Sequence, residues 1–397
     1  MKKNSFVARQ PTLFTAAAIQ RRQLLRGMAS VAGLASICAA PLRHAAAQAR
    51  GADAGATRVT QLLDMSPDQQ QLSRDYATGI RLAFAELKKN NVALPLLSTV
   101  ETDGSAAAAR SALQAIRDEP AQVAVLGTAG EGLALASLTE SAQLKLDIAH
   151  VAPWLADPQM DNNPRLFALF ASREEQIRYV LKTLSVVGVN ELGLVYPTQQ
   201  HADTMQAGMA VISSRLQLKT RSLIIPKGQD IAGYAARLPA GAPFFLMFMG
   251  GAIELALFTQ GLGQKKMQRY VLCLSDVDSN TFMQLNPGKS VPVIFTDVVP
   301  NPHTSKLAVV RNYRSALQRL FDEAPTPVSL AGYLAGRYAA TVLAGAGPGA
   351  SRSRVLAEFQ RRRPLELDGW HLEFNPQGRA SSFVSQTMLN TRGNFVG

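Results

Sequence analysis

From Val123 to Leu126 the chain is an unbroken apolar run. It breaks at Gly127-Thr128-Ala129-Gly130, resumes with Leu133, Leu138 and Ala142 at helical spacing, and turns apolar again from Ile148 to Val151 before Pro153. That alternation predicts strand, tight turn, helix and strand: one βαβ unit whose Gly-rich turn stands at the carboxyl end of its first strand. Ligands of open α/β sheets sit at that edge, because N–H groups at a helix start point into the crevice.

The same grammar runs through the rest of the chain. Val59–Leu63 reads as a first strand, residues 66–71 as a polar loop, and Arg74–Lys89 as a helix with Tyr76, Ile80, Ala83, Phe84 and Leu87 on one face. Leu94–Val100 is a second strand, and Ala106–Arg117 an Ala-rich helix closed by Pro120. A second cycle of similar size follows: residues 165–171 extended, 174–187 helical, 191–196 strand, 203–216 helix, 220–225 strand, 231–238 helix, 244–249 strand, 253–261 helix and 270–274 strand. Beyond a Val-rich run at 291–299 come helices over 307–321, 329–343 and 353–360, a strand from Leu372 running into a turn by Gly378, and a last strand at 383–389. Two consecutive α/β units predict parallel sheets with helices on both faces. No fixed repeat of solenoid length appears.

Composition supplies ample apolar material for two cores, with 47% hydrophobic and 18% charged residues in 397. The formal charge of +12 suggests nucleic acid until its distribution is read. Residues 1–49 hold Lys2, Lys3, Arg9, Arg21, Arg22, Arg26 and Arg43 and no acid, so seven of the twelve charges belong to the leader and five remain. Nucleic-acid binding thereby loses its main support. The leader has the anatomy of an export signal. Gln20-Arg21-Arg22-Gln23-Leu24-Leu25-Arg26 resembles a twin-arginine motif, Met28–Ala40 is a short apolar run, and Ala47-Gln48-Ala49 is an A-x-A cleavage site. The run is shorter than the roughly 20 apolar residues of a membrane anchor, so stable membrane insertion is not expected. Cys38 leaves with the leader, and Ile37 before it does not suit lipidation. Cys273 is then the one thiol left, expected as a small buried hydrophobe in the run 270–274.

The candidate chemistry is sparse. His150, His201, His303 and His371 show no metal-ligand spacing, no serine sits in G-x-S-x-G, and the Gly127–Gly132 spacing fits neither a dinucleotide fingerprint nor a P-loop. The Gly-rich turn offers N–H donors to an anion or carboxylate, or is a plain tight turn. Arg361-Arg362-Arg363 follows a helix and reads as a solvated helix end. Trp154, just past a strand end, either walls a ligand pocket or caps a core edge.

With these segments placed, the chain resembles the type I periplasmic substrate-binding proteins of ABC importers, the group that includes the leucine/isoleucine/valine-binding proteins. The resemblance rests on residues 76–87, YATGIRLAFAEL, on Val125-Leu126-Gly127-Thr128, on Ala152-Pro153, on residues 313–317, YRSAL, and on residues 332–337, GYLAGR, in that order. It implies two doubly wound α/β lobes with a hinge, lobe one at about 57–171 plus 298–379 and lobe two at about 172–297 plus 380–397. It implies an exported periplasmic receptor that closes on a small polar metabolite, partners an ABC permease, performs no chemistry and needs no cofactor or metal. A periplasmic sensor module for a signalling receptor, or an α/β enzyme, remains the alternative. Positions matching the family's amino-acid site are Thr128, Ala129, Gly130, Trp154, Ala156 and Asp276, with His201 and Ile253 where aromatic residues often stand. Arg74 and Tyr76, on the first helix, complete the ligand-binding candidates. Ala129, Gly130 and Ala156 depart from the family in lacking hydroxyls, and Ile253 lacks an aromatic wall. A leucine-like ligand is thereby less well matched, and the small polar metabolite, an amino acid, an amide or an organic acid, stays open.

Overall fold

The computed structural model describes residues 56–264, 268–285, 287 and 291–396. The leader and its twin-arginine and cleavage motifs lie outside them.

The first run of elements is β1 (Arg58–Asp64), α1 (Gln70–Lys89), β2 (Leu96–Thr102), α2 (Ala106–Asp118), β3 (Gln122–Leu126), α3 (Glu131–Gln143), β4 (Ala149–Val151) and β5 (Leu166–Phe167). Its strands make a five-stranded parallel sheet in the order β2-β1-β3-β4-β5. The second run is α4 (Arg173–Val186), β6 (Glu191–Tyr196), α5 (Gln199–Arg215), β7 (Lys219–Ile224), α6 (Ile231–Ala236), β8 (Phe245–Phe248), α7 (Ala252–Leu262), β9 (Tyr270–Cys273), α8 (Ser279–Gln284) and β10 (Val293–Asp297). Helices α9 (Ala308–Leu320), α10 (Pro327–Ala346) and α11 (Arg352–Gln360) follow, then a hairpin of β11 (Leu365–Leu367) and β12 (Trp370–Leu372), and last β13 (Ser385–Leu389) and β14 (Phe395–Val396). The second sheet has seven strands in the order β14-β13-β10-β9-β8-β6-β7, parallel from β7 to β10 and antiparallel from β10 to β14.

Both faces of the second sheet are covered, which is why its strands read as continuous apolar runs. Leu192, Leu194, Met247 and Leu272 point to one core; Val195, Leu246, Phe248, Val271 and Cys273 point to the other. Cys273 is buried, and burial pushes its thiol well above the ordinary range. In the first lobe one core joins Val59, Leu63 and Val123 to Val310, Tyr313, Leu334 and Phe359, so helices α9 to α11 complete the core of a sheet begun some 250 positions earlier. Among the described residues no helix is long and apolar enough to cross a membrane.

Two elements depart from the sequence reading. The strand expected from Leu372 instead ends there, as the second arm of a hairpin over residues 365–372 in which Asp368 and Gly369 both adopt positive φ (48° and 88°), the geometry of a two-residue turn. Residues 165–171 are strand only at Leu166–Phe167, since Ala168 bridges to Arg379 and the chain then leaves the sheet.

Helices α1 and α10 approach closely enough to touch backbones. A Cβ on Gly79 would lie 1.9 Å from the Ser329 carbonyl oxygen, and one on Gly332 would lie 2.2 Å from that of Tyr76. Gly79→Ala gains about 1 kcal/mol of helix propensity. The clash outweighs it, and a net loss of about 1–3 kcal/mol is expected from overpacking. Urea denaturation measures it; an equal or higher midpoint would show that the helices separate freely.

Candidate functional site

A cavity of about 370 Å³ opens where loops from the carboxyl ends of both sheets meet. The first sheet contributes Glu131 from the start of α3, and Trp154 and Asp157 from the segment after β4. The second contributes His201 from α5, Gly250-Gly251 after β8 and Asp276 after β9, with Arg173 at the first position of α4.

Trp154 is fixed from three sides. Its backbone N–H donates to the Thr128 carbonyl (2.8 Å). Its indole meets Tyr76 edge-on at 5.5 Å and leans on Phe170 at 5.9 Å, leaving 8% of the residue exposed at the cavity. Tyr76 is itself fully buried, and its hydroxyl donates to the Ala152 carbonyl (2.7 Å). Ala152 stands at φ 46°, and that kink turns the chain from β4 toward the cavity.

Charge is concentrated around Arg173. Arg173 follows Ser172, which caps α4 in a reciprocal box with Glu175. Its guanidinium pairs with Glu131 and lies 3.5 Å from Asp276 and 3.6 Å from Asp157. Glu131 also accepts the Asp157 backbone N–H (2.7 Å). Gln176, one turn along α4, accepts the Ser275 backbone N–H and the Thr296 hydroxyl, both at 2.9 Å, and so holds the loop that carries Asp276. Burial opposes the charge on Arg173, yet Asp276, Glu131 and Asp157 keep it protonated above the ordinary guanidinium range. Burial pushes the Glu131 carboxyl up, Arg173 pulls it back only in part, and Asp276 adds a like charge. Three carboxylates share one cation.

The structure thus brings Trp154, His201 and Asp276 together at the cavity. His201 bonds through Nδ1 to the Thr198 hydroxyl at the α5 cap (2.8 Å). Tyr76 lies one layer beneath, under Trp154. Thr128, Ala129 and Gly130 do not line it. They form a buried turn whose N–H groups at Gly127 and Ala129 donate to Val151 and Leu62, while Ala129 bridges to β1. Gly127 (φ 63°) and Gly130 (φ 100°) fit the tight turn, and a Cβ on either would meet Ile80 or Asp64 within 2.6 Å. The carbonyl of Ala156 is taken by the N–H of Arg173 (2.8 Å), Arg74 is exposed on α1, and Ile253 sits on α7 outside the lining; Gln69, rather than Arg74, reaches the cavity from the α1 side. Sequence reading missed Glu131, Asp157 and Arg173. An acid opening a helix after a Gly turn, and the Ser172–Glu175 capping signature, were signals available for two of them. Among the described residues no cluster of His, Cys, Asp or Glu could hold a metal ion.

Residues 56–370 match the family profile described as periplasmic binding protein. A comparison with curated proteins finds no match. Solved structures share the fold. A substrate-binding periplasmic protein from Ralstonia solanacearum is 20% identical with TM-score 0.74, covering 86% of this chain and 99% of that one. A possible leucine/isoleucine/valine-binding protein from Rhodopirellula baltica is 20% identical with TM-score 0.73, over 87% and 97%. The branched-chain amino acid transporter substrate binding protein LivJ from Streptococcus pneumoniae, in complex with isoleucine, is 13% identical with TM-score 0.72, over 86% and 98%.

Proposed function

Because the chain belongs to the family of periplasmic binding proteins, we propose that it is an exported solute receptor, holding a small polar metabolite between two lobes and delivering it to an ABC permease. The observation that carries this reading is the cavity at the carboxyl edges of both sheets, walled by Trp154 and carrying His201 and Asp276. Its volume of about 370 Å³ suits a metabolite. The lobes are taken as 57–171 plus 298–379 and 172–297 plus 380–397. What supports these boundaries is sheet membership: β1 to β5 on one side, β6 to β10 with β13 and β14 on the other, and α9 to α11 packed into the first core. Three chain crossings between lobes give a hinge, and closure would trap the solute. Export follows from the basic leader, and twin-arginine export from its Arg21-Arg22 pair.

The test is a thermal-shift screen of the purified protein, leader removed, against amino acids, amides, amines and organic acids. A solute bound to the native state alone, at a hundred times its Kd, adds about 2.7 kcal/mol of stability. Trp154→Ala is expected to weaken that solute about thirtyfold or more, the roughly 2 kcal/mol of a buried aromatic anchor, with the unliganded circular dichroism spectrum unchanged. A full shift retained in the variant would place the solute elsewhere.

A further inference from the structure

The charges that line the cavity name the class of solute, on the premise that the cavity is the solute site. Among the described lining residues stand three carboxylates, Glu131, Asp157 and Asp276, against one guanidinium, Arg173, with His201 as the remaining titratable group. Two negative charges are left over. Arg173 is already engaged by all three acids, so a solute carboxylate would have to displace them and then sit beside them. The helix start that would ordinarily welcome an anion holds Glu131 as its first residue, and the preceding turn spends its Gly127 and Ala129 N–H groups on the sheet. The Nε of Arg173 is buried without an acceptor, so it presents no open donor at the cavity surface. The rest of the lining mixes Trp154, Met205 and Met249 with the uncharged polar Gln69, Gln200 and Thr204 and with Gly250-Gly251, so it adds no positive charge and offers an aromatic face to an organic cation with an apolar body.

We infer that the cleft selects solutes that carry positive charge and no free carboxylate, such as amines and amino amides, over zwitterionic amino acids and organic acids. The inference rests on the receptor reading above. It is tested with two series matched in their apolar bodies: 3-methylbutylamine, leucinamide, leucine and 4-methylpentanoate; and phenethylamine, phenylalaninamide, phenylalanine and phenylacetate. Calorimetric titration of the purified protein should give the amine or amide of a series at least tenfold tighter binding than its carboxylate counterparts. Glu131→Gln and Asp276→Asn should each weaken the cation at least tenfold, and Glu131→Gln, by releasing Arg173, should narrow or reverse the preference. The ranking within the wild type needs no variant, so a misfolded substitution does not blunt the test. Carboxylates binding as tightly as their amines overturn the inference. If that binding is lost in Trp154→Ala, the receptor reading stands while the charge class falls. Absence of binding by every member of both series counts against the receptor reading and the inference together.

Discussion

Arg379→Met is expected to cost about 3–5 kcal/mol of stability, the loss seen when one partner of a buried ion pair is removed and the other is left behind. Arg379 is 1% exposed and serves several acceptors at once. Its Nε and Nη2 grip both oxygens of Asp161 at 2.8 Å, Nη1 donates to the carbonyls of Leu155 (2.8 Å) and Phe170 (2.9 Å), and Nη2 reaches that of Asp157 (3.0 Å). Burial pushes the Asp161 carboxyl above the ordinary range even with Arg379 beside it, so without the arginine the carboxyl would be protonated or exposed. The carbonyls would lose their donors in the same step. Urea denaturation reads the loss, and Arg379→Met combined with Asp161→Leu should recover only part of it. A single variant of wild-type stability would mean that the loop holds without its arginine. The segment 155–161 follows Trp154 and carries Asp157, so solute affinity should fall with stability.

Asp75→Asn is expected to work in the opposite direction. Asp75 is buried on α1; one carboxyl oxygen accepts from Gln71 (2.8 Å), and the other has no partner. Burial raises its pKa from 3.8 to about 6, with Asp278 adding repulsion. Between those two values the native state binds more protons than the unfolded chain, so this group's contribution to stability falls as pH rises through about 4 to 6 and stays low above. Asparagine removes the penalty, worth up to about 3 kcal/mol at pH 7.5 for a shift of roughly two units. The advantage should vanish near pH 4, where the wild-type carboxyl is protonated. Asp297, raised to about 6 by burial, acts in the same sense, and His150, lowered to about 4 by burial, acts in the reverse sense. Comparing variant with wild type at each pH isolates Asp75. Equal urea midpoints at pH 7.5 would refute the assignment.

Much of the fold was legible because period and punctuation are local. The helix face of Tyr76, Ile80 and Ala83 and the apolar runs of β6, β8 and β9 each declare themselves within a dozen residues. The 365–372 hairpin carried its own signal in Asp368-Gly369 and was passed over because its strands are three residues long. The site divided along the same line. Trp154 was readable from its place after a strand end and Pro153. The Glu131–Arg173 pair was not, since 42 residues separate its members and no spacing rule joins charges across a fold. The Gly127–Gly130 turn looked like an anion cradle for a reason that holds in general. Whether its N–H groups face a ligand or a neighbouring strand is decided by register with β1, which composition does not encode.

The chain holds two tryptophans, and the fold gives them separate duties. Trp370 lies buried edge-on to Phe383 at 5.1 Å in the core of the first lobe, outside the cavity lining. Trp154 borders the cavity itself. Intrinsic emission therefore contains one indole placed to meet the solute proposed for the cavity and one that serves as an internal reference. Subtracting the spectrum of the Trp154→Ala protein leaves an optical gauge of occupancy that needs no dye and no attached label.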